Sequence, residues 1–413
     1  MDTQSWNTMD SASQVTICMK MLYERQLTTT SGGNVSVRDE NNTVWVTPSG
    51  IDKCNVKKEQ VCSILPDETI IGSYKPTSEW KMHFEIYKCR KEIGAIVHTH
   101  SPTLLSFAIS HSLPCVTMVD KVFTILGEVS EVPYCICGGS KLAFTCAEVV
   151  ATNPHANCFI LQNHGVIVVG KTIEEAFSRL ELLERIAQIS LKVPSTLLSS
   201  VETSLLQDCT ALSRTLPRDE SDYKELDTFA KRAYNQKLIV CEHTFSKRCS
   251  SDSSVVCMTP FNTSPLFASV LSYHSISLDS PCTSLHLALY RHFDSIQCIL
   301  ECLPPYTSIF LQQQKCIDVE LMPESYIVIG KMAYIRYSAS LLDDVVSYYS
   351  RGYSVFLIER IGIVVTGTSV MQAFDRLEVL EATCEAIYHC EKRGQKIFKL
   401  TKEEVKEVDQ LFG

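Results

Sequence analysis

Ala95-Ile96-Val97-His98-Thr99-His100-Ser101-Pro102 is an apolar, β-branched run that ends in two histidines one residue apart. Side chains alternate on a strand, so both imidazoles leave the same face. A second apolar run, Phe159-Ile160-Leu161-Gln162-Asn163-His164-Gly165, carries a third histidine into a glycine that permits a turn and close backbone approach. Two strand ends can therefore converge on one ion, with Glu79 adding a carboxylate. Three neutral imidazoles and a carboxylate suit tetrahedral Zn²⁺, and three protein nitrogens with a displaceable fourth ligand describe a catalytic site rather than a closed structural one. A His-x-His taken alone is more often a pair of core or surface histidines.

A second constellation lies upstream: Thr30-Ser31-Gly32-Gly33-Asn34-Val35-Ser36-Val37, then Val46-Thr47-Pro48-Ser49-Gly50, then Lys75-Pro76-Thr77-Ser78-Glu79-Trp80. Each is a turn rich in small hydroxyl residues and exposed amides. Gly32 and Gly33 let successive N–H groups point inward, while Ser31, Asn34, Ser49, Thr77 and Ser78 can add side-chain donors to an anion. Together they can cradle a phosphate without lysine. Taken singly, each stretch is more often an ordinary turn or helix cap.

In this order the motifs resemble the class II aldolase/adducin superfamily, and most closely its L-fuculose-phosphate aldolase branch, over about residues 15 to 190. The resemblance implies an α/β fold: a three-layer α/β/α domain whose central, mainly antiparallel sheet is flanked by helices. It implies that His98, His100 and His164 bind one Zn²⁺ per chain, with Glu79 beside it as ligand and catalytic acid/base. It also implies that Ser31, Gly32, Asn34, Ser49, Gly50, Thr77 and Ser78 surround a substrate phosphate.

A metal-dependent, class II aldolase follows from that resemblance, cleaving a ketose 1-phosphate such as L-fuculose 1-phosphate to dihydroxyacetone phosphate and an aldehyde. Metal coordination of the ketose oxygens withdraws charge from the enediolate left when the carbon–carbon bond breaks, so no lysine Schiff base is needed. Glu79 can take or deliver the proton, and the phosphate turns fix the reacting carbons through remote binding energy. Superfamily relatives also epimerise, decarboxylate or dehydrate sugar phosphates. Glu79 followed by Trp80 resembles the aldolase pattern, whereas the epimerases carry aspartate there. Met118, in Pro114-Cys115-Val116-Thr117-Met118-Val119-Asp120-Lys121, falls where the aldolase has a catalytic tyrosine. Asp120 and Lys121 read as a solvated loop pair. An adducin-like, non-catalytic scaffold is the alternative from a different class.

The second half matches the first. Leu285-His286-Leu287-Ala288-Leu289-Tyr290 aligns with Met82-His83-Phe84-Glu85-Ile86-Tyr87, and the stretch from Gly362 to Glu381 mirrors Gly165 to Glu184. On this alignment Glu79 corresponds to Cys282, His98 to Glu301, His100 to Leu303 and His164 to Ile361, so none of the zinc set survives. The first phosphate turn becomes Glu242-His243-Thr244-Phe245, without glycines and with a negative charge where an anion would sit. Residues 1–215 are therefore expected to form a catalytic domain and residues 216–413 a degenerate, inactive copy. The resemblance also implies a homo-oligomer, two chains imitating a fourfold ring.

Three smaller readings complete the chain. Ile173 to Ile189 places Ile173, Ala176, Phe177, Leu180, Leu183 and Ala187 at helical spacing. Val193 to Asp222, rich in Ser and Thr, reads as an irregular link, and Thr401 with Glu404 as the start of a terminal helix. Composition predicts a cytoplasmic protein: there is no apolar run of about 18 residues and no basic leader. The 19 cysteines lack a paired framework and read as reduced core thiols, Cys135 and Cys137 among them. A net charge of −9 without a basic stripe weighs against nucleic acid or an anionic membrane as partner.

Overall fold

The histidine-bearing run Ala95–Thr99 is a fully buried strand inside a sheet, and a strand covered on both faces reads as a near-continuous apolar run. The computed structural model describes Trp6 and residues 9–198, 220–268, 272–280 and 284–412. It divides into two compact units, Met1–Val116 with Val122–Gln188, and Thr117–Lys121 with Ile189–Gly413. The boundary expected near residue 215 lies outside the described residues.

The first half of the chain runs α1 (Ser11–Glu24), β1 (Asn34–Arg38), β2 (Val44–Val46), β3 (Cys62–Ile64), β4 (Ile70–Ile71), α2 (Trp80–Cys89), β5 (Ala95–Thr99), α3 (Pro102–Ser110), α4 (Asp120–Leu126), β6 (Glu128–Val132), α5 (Ser140–Thr152), β7 (Ala156–Leu161), β8 (Gly165–Gly170) and α6 (Ile173–Lys192). Its eight strands are ordered β4-β3-β2-β1-β5-β8-β7-β6. Ile96, Phe159, Ile167 and Val169 face α2 and α5, where Phe84, Ile86, Leu142 and Cys146 close a dry core. Alternation turns Val97 and Val168 to the opposite face, against which α1 and α3 pack. Each fully buried Ile or Phe in these layers contributes on the order of 2 kcal/mol. His98 shares the face of Ile96, so it points toward the N-terminal end of α2.

The second half runs α7 (Glu220–Asn235), β9 (Thr244–Arg248), β10 (Val255–Met258), β11 (His274–Ser277), α8 (Leu285–His292), β12 (Cys298–Cys302), α9 (Thr307–Gln312), α10 (Pro323–Ile329), β13 (Lys331–Ile335), α11 (Leu341–Ser350), β14 (Tyr353–Ile358), β15 (Gly362–Gly367), α12 (Val370–Lys392) and α13 (Lys402–Phe412). Its seven strands are ordered β11-β10-β9-β12-β15-β14-β13. Ile299, Phe356 and Val364 face α8 and α11, as Ile96, Phe159 and Ile167 face α2 and α5 in the first unit. Among the described residues, every strand pair of both sheets is antiparallel except β6 with β7 and β13 with β14, which is the α/β class expected.

Helix α6 matches its predicted stripe, with Ile173, Ala176, Phe177, Leu180, Leu183 and Ala187 all buried. Residues 199–219 of the link expected from Val193 lie outside the described residues, and at its far end Asp222 lies inside α7 and accepts the Ser250 N–H and hydroxyl. Thr401 and Glu404 cap α13 reciprocally, each side chain accepting the other's backbone N–H. Every described cysteine is a free thiol, and Cys135 and Cys137 lie outside any strand, the first buried and the second exposed. No described helix is long and apolar enough to cross a membrane.

Candidate active site

Three imidazoles converge at one end of the first sheet. His98 is the fourth residue of β5; His100 follows the strand; His164 closes the tight connection from β7 to β8 behind Asn163, whose φ of 53° makes the turn. His98 Nε2 and His100 Nε2 lie 3.1 Å apart, and the ring centroids of the three are 4.9, 4.9 and 5.3 Å from one another. Gly165 makes this approach possible. A Cβ there would stand 2.5 Å from the Thr99 carbonyl oxygen and 2.7 Å from His100 Cδ2.

The tautomer of His98 follows from its partners. Its Nδ1 donates to the Val166 carbonyl across 2.9 Å, which leaves the Nε2 lone pair aimed at the cluster. Burial pushes this imidazole down to about 3, against the opposing pull of Glu79. Burial also lowers His100. Neutral rings whose nitrogens approach to 3.1 Å are close enough together to act jointly as ligands of a small cation.

Glu79, the residue just before α2, brings its carboxylate into the same space. Oε2 lies 3.3 Å from His98 Nε2, and Oε1 lies 3.2 Å from His164 Nε2. Buried Oε1 and His164 Nδ1 have no hydrogen-bond partner. Burial alone would raise this carboxyl, but the His98 and His164 imidazoles and the Asn34 amide outweigh it and hold it below its ordinary value. Glu79 is therefore an anion at neutral pH. The three imidazoles bring ligand nitrogens within 4.8 Å of one another, with the Glu79 carboxylate against two of them, and this set fits a divalent ion such as Zn²⁺.

A buried relay stands behind Glu79. The Ser36 hydroxyl lies 2.7 Å from His83 Nδ1, His83 Nε2 lies 2.5 Å from Asn34 Oδ1, and Asn34 Nδ2 donates to Glu79 Oε2 across 2.8 Å. Tyr87 lies 2.9 Å from Ser36 Oγ, beneath the Arg38 guanidinium. Burial pushes His83 down to about 4, so it is neutral and donates through Nε2. The sequence reading missed His83, Ser36 and Tyr87 as parts of the site. The signal was present: Glu79, His83 and Tyr87 recur every four residues and so share one helix face.

The three small-residue turns are tied side by side. Thr47 N donates to Val35 O, Thr77 N to Thr47 O at 3.0 Å, and Ser49 N to Lys75 O at 2.8 Å. Ser31, Ser49, Gly50 and Ser78 lie exposed on this group and Gly32 half-buried. Gly33 needs its glycine, since its φ is 67° and a Cβ would lie 2.6 Å from the His98 carbonyl oxygen. Two members of the expected anion set have other partners. The Asn34 amide is spent on Glu79 and His83, and Thr77 Oγ1 accepts the Glu79 N–H at 3.4 Å. A lysine that sequence reasoning passed over does lie here: buried Lys53 donates to the Pro48 carbonyl at 2.9 Å, and burial pushes its ammonium down to about 8 against the pull of Glu79.

A second group with ligand-type atoms, Asp222 with Cys249 and Cys257, lies in the other unit. Its carboxylate already holds the Lys247 ammonium at 2.7 Å and the Ser250 hydroxyl and N–H, so its charge is met without a metal. Asp120 and Lys121 are not the solvated pair expected. Both are held within the second unit: Asp120 by a two-bond pairing with Arg360, Lys121 by Thr244 and Glu301.

The family model described as Class II Aldolase and Adducin N-terminal domain matches residues 13–191 and 252–388, more than half of the chain. The chain belongs to this family. Among curated members, an L-fuculose phosphate aldolase of Methanococcus maripaludis is 37% identical over 183 residues, which cover 44% of this chain and 96% of the relative. A 3-oxo-tetronate 4-phosphate decarboxylase of Haemophilus influenzae is 30% identical, covering 41% of this chain and 81% of the relative. A 5-deoxy-D-ribulose 1-phosphate aldolase of Bacillus thuringiensis is 34% identical, covering 41% and 79%. Class II aldolase/adducin relatives thus differ in named reaction while sharing this length of chain.

Proposed function

We propose that the chain is a zinc-dependent sugar-phosphate aldolase that cleaves a ketose 1-phosphate, of the L-fuculose 1-phosphate kind, to dihydroxyacetone phosphate and an aldehyde. The observation that carries this reading is Glu79: a buried, ionised carboxylate set against His98 and His164, two of three imidazoles whose ligand nitrogens converge. His98, His100, His164 and Glu79 would hold the ion. Bound there, a divalent ion supplies the electron withdrawal that stabilises negative charge on the ketose oxygens as the carbon–carbon bond breaks.

The remaining work falls to the chain itself. Glu79 accepts the proton of the substrate hydroxyl next to the scissile bond and returns one to the carbanionic carbon, while Asn34 keeps its carboxylate aimed. Ser31, Gly32, Ser49, Gly50 and Ser78 hold the phosphate with N–H and hydroxyl donors, with Thr77 fixing the start of α2. Asn34 sits at the join of the two functions, orienting the acid/base beside the phosphate turn. The second unit is inert in this proposal, because Glu301, Leu303 and Ile361 stand where imidazoles would be needed. The proposal extends to a cytoplasmic location and to a homo-oligomer in which two chains imitate a fourfold ring; a strict monomer with full activity would remove that last part.

The test is metal content together with dihydroxyacetone phosphate release from ketose 1-phosphates, for the wild type and Glu79→Gln. About one zinc per chain, and cleavage suppressed by the substitution, is the expected result. Zinc without cleavage moves the assignment to another reaction of the same site, the decarboxylation named for one relative being the next to assay. Absence of bound metal overturns the enzyme reading in favour of a scaffold.

A further inference from the structure

The second unit keeps the foundation of a site while its centre has changed. Ser246 Oγ lies 2.7 Å from His286 Nδ1 and 3.0 Å from the Tyr290 hydroxyl, and the Arg248 guanidinium covers the Tyr290 ring. This repeats Ser36, His83, Tyr87 and Arg38 of the first unit. Strand register fixes the correspondence at the centre. Asn34 faces His98 across β1 and β5, and Thr244 faces Glu301 across β9 and β12. Where the first unit presents an imidazole lone pair, the second presents a carboxylate.

The group that meets this carboxylate is an ammonium. Lys121 Nζ donates to Thr244 Oγ1 at 2.5 Å and lies 3.5 Å from Glu301 Oε1. In the first unit the atom that touches both corresponding residues, Asn34 and His98, is an oxygen of Glu79. The polarity of the centre is thus reversed: a carboxylate among imidazoles in one unit, an ammonium against a carboxylate in the other. We propose that Lys121 is a resident cation that plugs the second unit's former site, with residues Thr117–Lys121 acting as its internal ligand.

Three further contacts deliver that lysine. Asp120 accepts from Arg360 Nε at 3.0 Å and from Nη2 at 2.8 Å, its N–H donates to the Arg360 carbonyl at 2.9 Å, and Val119 forms a parallel bridge with Arg360. The planar two-bond pairing fixes direction as well as distance. A lysine carried on the same chain and held this way acts at high effective concentration, so a free divalent ion must displace it to enter. A sugar phosphate would meet carboxylates, Glu301 and the buried Glu242, whose oxygens accept the Leu303 and Val240 N–H groups. The inference stands whether or not the first unit cleaves sugar phosphates.

Charge around Glu301 gives the proposal a specific signature. Burial raises this carboxyl, but Lys121 and His286 together outweigh it and hold the group at about 2. The other titratable groups on this side are His286, whose Nε2 is 3.4 Å from Glu301 Oε2, and His243, which burial pushes down to about 4. Lys121→Met keeps the side chain's length and removes its charge. Half-buried Glu301 then loses its ammonium partner and keeps only His286, so its folded-state pKa rises. Its stability penalty is therefore present at neutral pH and relieved as acid protonates it.

The experiment is thermal unfolding of the full chain at pH 7 and pH 5 for the wild type, Lys121→Met, Glu301→Gln and the double variant. Lys121→Met is expected to melt roughly 5 °C lower at pH 7, with the deficit at least halved at pH 5 and most of it recovered in the double variant. A deficit independent of pH, or a double variant no better than Lys121→Met, would show that lysine contributes packing alone and overturn the proposal. If Lys121→Met yields no soluble protein, recovery of soluble protein in the double variant supports it and failure to recover overturns it.

Discussion

Asn34 holds the Glu79 carboxylate in place: its amide donates across 2.8 Å, while its own carbonyl oxygen is fixed by His83 at 2.5 Å. Replacing Asn34 by Ala leaves all three imidazoles and the carboxylate, but frees the carboxylate to rotate. Loss of such an outer partner typically lowers metal affinity or activity by about 10- to 100-fold. The expected outcome for Asn34→Ala is near-normal zinc content at saturating metal with cleavage reduced in that range, read by parallel metal analysis and turnover.

Gly165 sets how closely β8 approaches the histidines. Adding a methyl group places carbon 2.5 Å from the Thr99 carbonyl and 3.2 Å from His98 Cε1, and neither backbone can yield without moving an imidazole. Gly165→Ala should fold with a destabilisation of about 1 to 3 kcal/mol and lose most of its zinc affinity. Chelator competition against the wild type measures the second effect, and unchanged affinity would refute it.

His83 gives a pH dependence whose sign follows from its burial. Its folded-state value is lowered to about 4 from an ordinary 6.5, so between those values the unfolded chain binds the extra proton. Stability from this group is complete above pH 6.5 and falls as pH drops toward 4. His83→Gln can still accept from Ser36 and donate to Asn34. It should be less stable than the wild type at pH 7, yet lose less on acidification, with the two unfolding curves converging near pH 4 to 5.

Much of the fold and the metal-type cluster could be read from the sequence because β5 and β7 are apolar runs that lead into histidines out of keeping with them. His98 in a buried strand and Gly165 after His164 were conspicuous for that reason. The expected helix over Ile173 to Ile189 was legible through its stripe. What escaped were relations across distance. Asn34 looked like one more donor in a turn, and only the pairing of β1 with β5 turns it toward Glu79. Lys121 looked solvated because lysine in a loop usually is; its partners Thr244 and Glu301 lie 123 and 180 positions away, and no local pattern announces them. His83 is the intermediate case, visible as a helix face and overlooked because histidine at that spacing in an apolar helix more often reads as core.

The persistence of Ser246, His286, Tyr290 and Arg248 in the second unit changes what a buried histidine can be taken to mean in relatives of this chain. His286 has a strand serine as its hydroxyl partner, as His83 does, but its Nε2 faces the Glu301 carboxylate. The two halves differ at the strand ends, where Thr244 and Glu301 stand in place of Asn34 and His98, and agree in the residues that tie β1 to α2 and β9 to α8. A search template keyed to that helix face would score both halves of the molecule as enzymes. One keyed to the strand-end imidazoles would score only the first, and it is the second kind of template that separates copies carrying the imidazole set from copies without it.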